Sequence, residues 1–309
     1  MAAPAQKITF AGFIITLTGA IFFSTKAIFV KLAFQQTGVD ALTLLSLRML
    51  FSLPFYLLAV WLVSRKENTQ PLTNRQWILI ILMGILGYYL SSLFDFIGLQ
   101  YVSAGLERLI LFLYPTFAVL INTFFFRTKL NRTQLIALLL AYLGIAIAYV
   151  GELNVDKTNP EFFYGSLMIF LCAVTYSIYL VGTGRLVPKV GVTRYTAYAM
   201  LAATAGIFIQ FLLTRRIGDI PFSPSLVGYG TALAIIATVL PSFMMSNGMK
   251  TIGSNNVAII TSIGPVSTIA QAHFILGEPI FTEQVLGTAL VMAGIVMIGW
   301  QTRYGAEQD

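Results

Sequence analysis

Residues 134–150, QLIALLLAYLGIAIAYV, and residues 284–300, QVLGTALVMAGIVMIGW, lie 150 positions apart and open on the same glutamine. Gly144-Ile145 of the first meets Gly294-Ile295 of the second. Extending the ungapped comparison back to residue 98, Gly98 meets Gly248, Pro115 meets Pro265 and Phe124 meets Phe274. Identity is low, but prolines inside apolar blocks coincide, and so do the block boundaries. Self-similarity at a long fixed offset marks an internally repeated fold.

Both stretches have the length and apolarity that a helix needs to cross a bilayer. The rest of the chain agrees: 57% of the 309 residues are AVILMFWYC, only 10% are charged and the mean hydropathy is +0.82. A soluble domain carries about 25% charged residues. Apolar blocks can be drawn at about 9–31, 40–63, 76–98, 106–126, 132–150, 162–182, 194–213, 226–249, 255–276 and 284–300. The expected fold is therefore an all-α integral membrane protein with ten transmembrane helices, the first block being a retained helix and not a cleaved signal. The connections are short, which leaves no room for a soluble catalytic or nucleotide-binding domain.

Five helices per half is an odd number, so the second half enters the membrane upside down. The expectation is two inverted five-helix repeats, 1–153 and 154–309. Such a pair can pack in two related ways, each open to one side, which is the physical basis of alternating access about a midplane site. Basic residues orient the chain. With the N-terminus in the cytoplasm, that side collects twelve, from Lys7, Arg65, Lys66 and Arg75 through Arg127, Lys129, Arg132, Arg185, Lys189, Arg194 and Lys250 to Arg303. The other side collects Lys31, Arg108, Lys157, Arg215 and Arg216, so both termini are expected to be cytoplasmic. Asn131-Arg132-Thr133 matches a glycosylation pattern but falls in a basic loop, where it is accidental.

Candidate site residues are the polar and aromatic groups at mid-depth. The third block has Tyr88, Tyr89, Ser92 and Asp95, the fourth has Phe112 and Tyr114 beside Pro115, and the sixth has Tyr176 and Tyr179. Thr16 and Phe23 in the first block and Ser262 in the ninth join them. Tyrosine prefers the headgroup level, so these hydroxyls need a polar cavity or an interhelical hydrogen bond. Aromatic faces lining a cavity suit an amphipathic substrate, whose ring stacks and whose amino group is drawn to the π faces. Prolines 54, 115, 241 and 265 should kink their helices, with the matched pair Pro115 and Pro265 the better functional bends.

Lys26 and Arg48, roughly 7 and 12 Å from the nearer block ends, are close enough to snorkel. Alternatively, Arg48 pairs with Asp95 or Glu107 in a latch on the outer side, with Lys26 also in the gating set. Asp95 and His273 are the candidates for a proton carrier, so downhill transport is as well supported as antiport. No metal site, cofactor or nucleic-acid partner is expected: there is one histidine and one cysteine, Cys172. Gly182-Thr183-Gly184 lacks the rest of a dinucleotide fingerprint, and no phosphate-binding loop or catalytic constellation is found, so the chain reads as a non-enzyme.

Phe23-Ser24-Thr25-Lys26, Lys31, Arg48, Gly98-Leu99 leading to Ala104, Pro115, and Leu276-Gly277-Glu278-Pro279 followed by Gln284, Gly287 and Gly294 together carry a resemblance. In order and spacing the chain resembles the EamA-type branch of the drug/metabolite transporter superfamily, over nearly its full length. Its aromatic-rich helices look most like bacterial exporters of aromatic amino acids and related metabolites. The resemblance implies ten helices, a central cavity, and export of small molecules across the bacterial inner membrane, with the lipid bilayer as surroundings and a monomer as the working unit. Two departures stand out: Phe23-Ser24 replaces the usual Trp-Gly, and Arg127-Thr128-Lys129 replaces Leu-Gly-Glu. Glu278, which the second half keeps, reads as a residue that fixes a helix end. The competing readings are a cationic drug or nucleotide-sugar carrier of the same superfamily, or a membrane component that transports nothing.

Overall fold

The computed structural model describes residues 9–64, 71–126, 132–155, 159–220, 222–252 and 254–305. Lys7, Arg65, Lys66, Arg127, Thr128, Lys129, Asn131 and Lys157, which enter the charge count, the motif departure and the glycosylation pattern, lie outside them. Every regular element among the described residues is helical. The first half comprises α1 (Phe10–Thr37), α2 (Ala41–Ser64), α3 (Asn74–Leu99), α4 in two pieces (Ala104–Leu111 and Tyr114–Phe126) and α5 (Arg132–Val155). The second comprises α6 (Phe162–Val190), α7 (Val192–Thr214), α8 (224–252), α9 in two pieces (254–261 and 264–276) and α10 (Thr282–Gly305). Among the described residues, eight helical spans are long and apolar enough to cross a bilayer, and Thr282–Met297 of α10 adds a shorter apolar stretch. Side chains such as Leu57, Leu139, Leu143, Leu212 and Phe124 are exposed on the outer surface. Water would not tolerate so much apolar exterior, whereas lipid does.

Local chemistry sets the helix ends, and it repeats. Thr73 closes a capping box with Gln76 at the start of α3, and Ser223, 150 residues on, caps α8 with Pro224 in its first turn. Gly38 and Gly191 end α1 and α6 with positive φ, and their amides return to the carbonyls of Phe34 and Val187 at 3.1 and 2.8 Å. α3 carries a π-helical turn at Ile85–Leu90 and α8 one at Ile235–Val239, again 150 apart. In α8 the turn precedes Pro241, which lacks an N–H; in α3 the Ser91 hydroxyl bonds back to the Gly87 carbonyl. The prolines at 115 and 265 do more than bend. Both α4 and α9 stop for two residues, 112–113 and 262–263, and restart, whereas α2 runs unbroken through Pro54.

The packing has the same symmetry. α1 lies against α8 and α9, and α6 lies against the corresponding α3 and α4; α2 meets α8 as α7 meets α3. A Cβ on Gly144 would stand 2.5 Å from the Gly287 carbonyl oxygen, and one on Gly294 would stand 2.7 Å from that of Ala137. Those contacts exchange under the offset, since 137 and 144 map to 287 and 294. As the residue number rises along α5, its partner's number falls along α10, so the two helices run antiparallel. A two-fold axis that relates antiparallel helices lies across them, so the halves are inverted.

One sequence expectation shifts. The first apolar block ends near residue 31, but the helix continues to Thr37, capped by Gly38. Lys26 is thus eleven residues from that end, about 16 Å at 1.5 Å per residue. Its side chain is buried and does not reach the surface.

Candidate functional site

The polar groups of the interior gather where the broken helices meet α1, α3 and α6. Lys26 of α1 reaches Asp95 Oδ2 at 2.7 Å and Glu107 Oε1 at 3.3 Å. All three side chains are buried, and among the described residues the carboxylate oxygens Asp95 Oδ1 and Glu107 Oε2 have no hydrogen-bond partner. The latch expected between Arg48 and an acid is therefore corrected: the lysine takes both acids. The extended α1 carries Lys26 to the level of Asp95, near the end of α3, and Glu107, in the first turn of α4. Arg48 instead faces α8, where its Nε donates to Thr238 Oγ1 at 2.9 Å and its guanidinium lies 5.6 Å from the Phe96 ring centre. Thr238 sits in the π turn and donates in turn to the Leu233 carbonyl.

Next to this cluster runs a chain of rings. Phe112 and Tyr114, flanking the break of α4, are 5.7 Å apart; Tyr114 meets Tyr176 at 5.3 Å, Tyr176 meets Tyr179 at 5.6 Å, and Tyr179 meets Tyr88 at 4.9 Å. The hydroxyls of Tyr88 and Tyr179 share a 2.7 Å hydrogen bond, made possible because Gly87 leaves room for the Tyr179 ring. Tyr195 extends the row and bonds Thr183 at 2.7 Å. Among the expected residues, Phe23, Tyr88, Phe112, Tyr114, Tyr176 and Tyr179 come together here. Tyr89 does not: its ring lies over Gly206 of α7 and its hydroxyl donates to Gln210 at 2.9 Å. Thr16 packs against Gly248 of α8 and donates to the Gly12 carbonyl, Ser92 is half-buried on α3, and Ser262 is buried in the break of α9.

Sequence reasoning passed over Arg108 as a member of the site, along with Tyr195 and Thr238. The guanidinium of Arg108 lies 5.8 and 5.1 Å from the rings of Phe23 and Phe112, and its terminal nitrogen would be 2.6 Å from a Cβ on Gly264. Only glycine at the start of the second α9 piece leaves it space. A basic residue next to Glu107 in an apolar block was the available signal.

Hydroxyls tie the breaks to the neighbouring helices in matched fashion. Ser177 of α6 donates to the Tyr114 carbonyl at 2.9 Å, and Ser24 of α1 donates to the Gly264 carbonyl at 3.3 Å. Tyr114 and Gly264 are 150 residues apart. Both carbonyls belong to the first residue of a restarted helix, so the two hydroxyls anchor the restarts to α6 and α1.

Toward the end of α1, a cavity of about 370 Å³ is lined by Lys31, Gln35, Tyr101, Glu152, Asn159 and Glu278, among others. Glu278 fixes a helix end, as the sequence suggested: its carboxylate accepts from the amides of Ala104 and Gly105 at the start of α4, 3.0 to 3.4 Å away, with Lys31 at 3.8 Å. His273 is engaged locally, its Nδ1 lying 2.8 Å from the Glu278 carbonyl.

The comparisons agree with this architecture. The model of the EamA-like transporter family matches twice, at residues 10–150 and 163–300. The uncharacterized transporter YcbK of Bacillus subtilis is 32% identical over 281 residues, covering 90% of this chain and 89% of that one. The uncharacterized inner membrane transporter YicL of Salmonella typhimurium is 20% identical over 94% of this chain and 96% of its own. A protein of known crystal structure shares the fold at a TM-score of 0.65, with 20% identity, over 95% of this chain and 98% of that one.

Proposed function

Because the chain belongs to the EamA-like transporter family and is a multi-pass membrane protein, we propose that it is a secondary exporter of amino acids, aromatic and other neutral, and of related small metabolites. It works as a monomer in the bacterial inner membrane with both termini in the cytoplasm, its halves being 1–153 and 154–309. Alternating access takes place about the region enclosed by Phe23, Phe112, Tyr114 and Tyr176. The observation that supports this most is the pair of helix breaks at 112–113 and 262–263, related by the repeat and adjoining those rings. Two inverted halves with matched breaks have two equivalent packings, and each break is a place where a helix can change direction at small cost.

A proton antiport reading has its own support in the Lys26 cluster, because two buried carboxylates sharing one ammonium are a place where a proton can be held. The test is uptake of labelled phenylalanine, threonine, methionine and a purine into liposomes containing the purified protein, with and without a pH gradient. Amino-acid uptake is expected. Failure of every amino acid alongside transport of the purine sinks the substrate assignment, and the response to the gradient decides between uniport and antiport.

A further inference from the structure

We infer that Arg108, assisted by the hydroxyls of Tyr114 and Tyr176, is the seat of a carboxylate group on the transported molecule. The inference rests on the transporter reading above and specifies its substrate class. Arg108 is buried, yet no hydrogen bond is made by any of its nitrogens among the described residues, and its Nε is fully enclosed without an acceptor. Its two neighbours Phe23 and Phe112 meet the guanidinium with ring centres at 5.8 and 5.1 Å. A ring face attracts the cation but accepts none of its in-plane N–H groups, so the enclosed Nε–H goes unmatched. A buried donor without an acceptor is costly and persists only where something offsets it.

The nearby acids do not serve. Glu107, the preceding residue, is engaged with Lys26 on the α1 side, and Asp95 with the same lysine. Tyr114 and Tyr176, whose rings are 5.3 Å apart, also make no hydrogen bond through their hydroxyls among the described residues. Arg108, Tyr114 and Tyr176 therefore each lack an acceptor among the described residues, and the guanidinium lies against the start of the second α9 piece, where the helix dipole is positive. A planar carboxylate matches a guanidinium fork with two parallel hydrogen bonds and can accept more from the tyrosines. The rings of Phe23 and Phe112 on either side suit an apolar or aromatic substituent on the same molecule.

The experiment uses the full-length protein in liposomes and labelled L-phenylalanine, with L-phenylalaninamide, phenethylamine and 3-phenylpropanoate as competitors. Direct binding of each unlabelled compound is read by its shift of the thermal unfolding midpoint. The two carboxylates should bind and the two compounds lacking one should not. Arg108→Gln should weaken carboxylate binding about 10- to 100-fold, the loss of a charge-assisted pair. Arg108→Lys should restore part of the discrimination, because it keeps the charge without the fork. Folding is controlled for by the ligand-free midpoint, which Arg108→Gln should leave unchanged or raise, because the substitution removes a buried charge.

Equal binding of phenylalaninamide and phenylalanine overturns the seat, and so does unchanged discrimination in Arg108→Gln, or a failure of every carboxylate to bind. If 3-phenylpropanoate binds in an Arg108-dependent way and no amino acid is carried, the seat stands and the amino-acid assignment falls. If phenylalanine is carried equally by the parent and Arg108→Gln, the assignment stands and the seat falls.

Discussion

Replacing Lys26 by Met removes the ammonium that touches two buried carboxylates. At an effective dielectric near 20, the contacts of 2.7 and 3.3 Å correspond to gross attractions of about 6 and about 5 kcal/mol. Withdrawing three charges from water offsets most of that, so the net loss expected on removing one partner is about 3–5 kcal/mol, the usual scale when a buried pair is broken. Most of the loss is the penalty of leaving Asp95 and Glu107 unpaired, so neutralising them should reverse it. The triple variant Lys26→Met, Asp95→Asn, Glu107→Gln should approach or exceed parental stability, even though it lacks every charge of the cluster. Equilibrium unfolding by titrated SDS in mixed micelles measures both. A Lys26→Met protein within about 0.5 kcal/mol of the parent, or a triple variant no more stable than the single one, would refute the reasoning and return Lys26 to a position where its ammonium reaches water.

Three further outcomes are expected. Gly144→Leu and Gly294→Leu each drive a side chain into a facing carbonyl on the α5–α10 contact and should each cost about 1–3 kcal/mol in the same unfolding assay; the two losses should match, because the positions are equivalent. Tyr176→Ala should abolish uptake while the protein stays folded, whereas Tyr89→Phe should transport near the parental rate, since its hydroxyl serves only the Gln210 contact; both are read in the liposome assay. In the turn between α1 and α2, burial pushes the Asp40 carboxyl up, but hydrogen bonds from the Thr43 hydroxyl and amide and the nearby Arg215 guanidinium outweigh it and hold the pKa below its usual value. A lowered folded-state value stabilises above the unfolded-state pKa, and that contribution is lost as pH falls through the folded value. The thermal midpoint gap between parent and Asp40→Asn should therefore shrink as pH drops below about 4.

The long apolar blocks and the offset of 150 residues were legible from composition and from a handful of coincident residues, since both depend on residue type alone. Bends at 115 and 265 were legible for the same reason, since proline removes a helix hydrogen bond; that these two helices stop there while α2 runs on through Pro54 was not. The π turn at Ile85–Leu90 was not, because its sequence has no proline and its partner at Ile235–Val239 is followed by one. Within it, Tyr88 faces Tyr179 while Tyr89 turns to α7.

Which of Lys26 and Arg48 pairs with the acids depends on helix length and rotation, and α1 continues six residues beyond the end of its apolar block. Arg108 was passed over because proximity to a block end suggested solvent. Its burial depends on Phe23 and Gly264, distant in sequence. Aromatic content marks these helices alike, and only packing separates a tyrosine that lines an interior from one that braces a helix pair.

Inversion of the two halves is what gives the protein two equivalent packings. Asn74 and Ser225 occupy the first turns of α3 and α8 and are exposed. Single cysteines at these positions, in a Cys172→Ala background, can be labelled with a membrane-impermeant maleimide in right-side-out and inverted vesicles. The inverted arrangement predicts labelling from opposite sides, Asn74→Cys from the cytoplasmic face and Ser225→Cys from the outer one; labelling of both from the same side would contradict it.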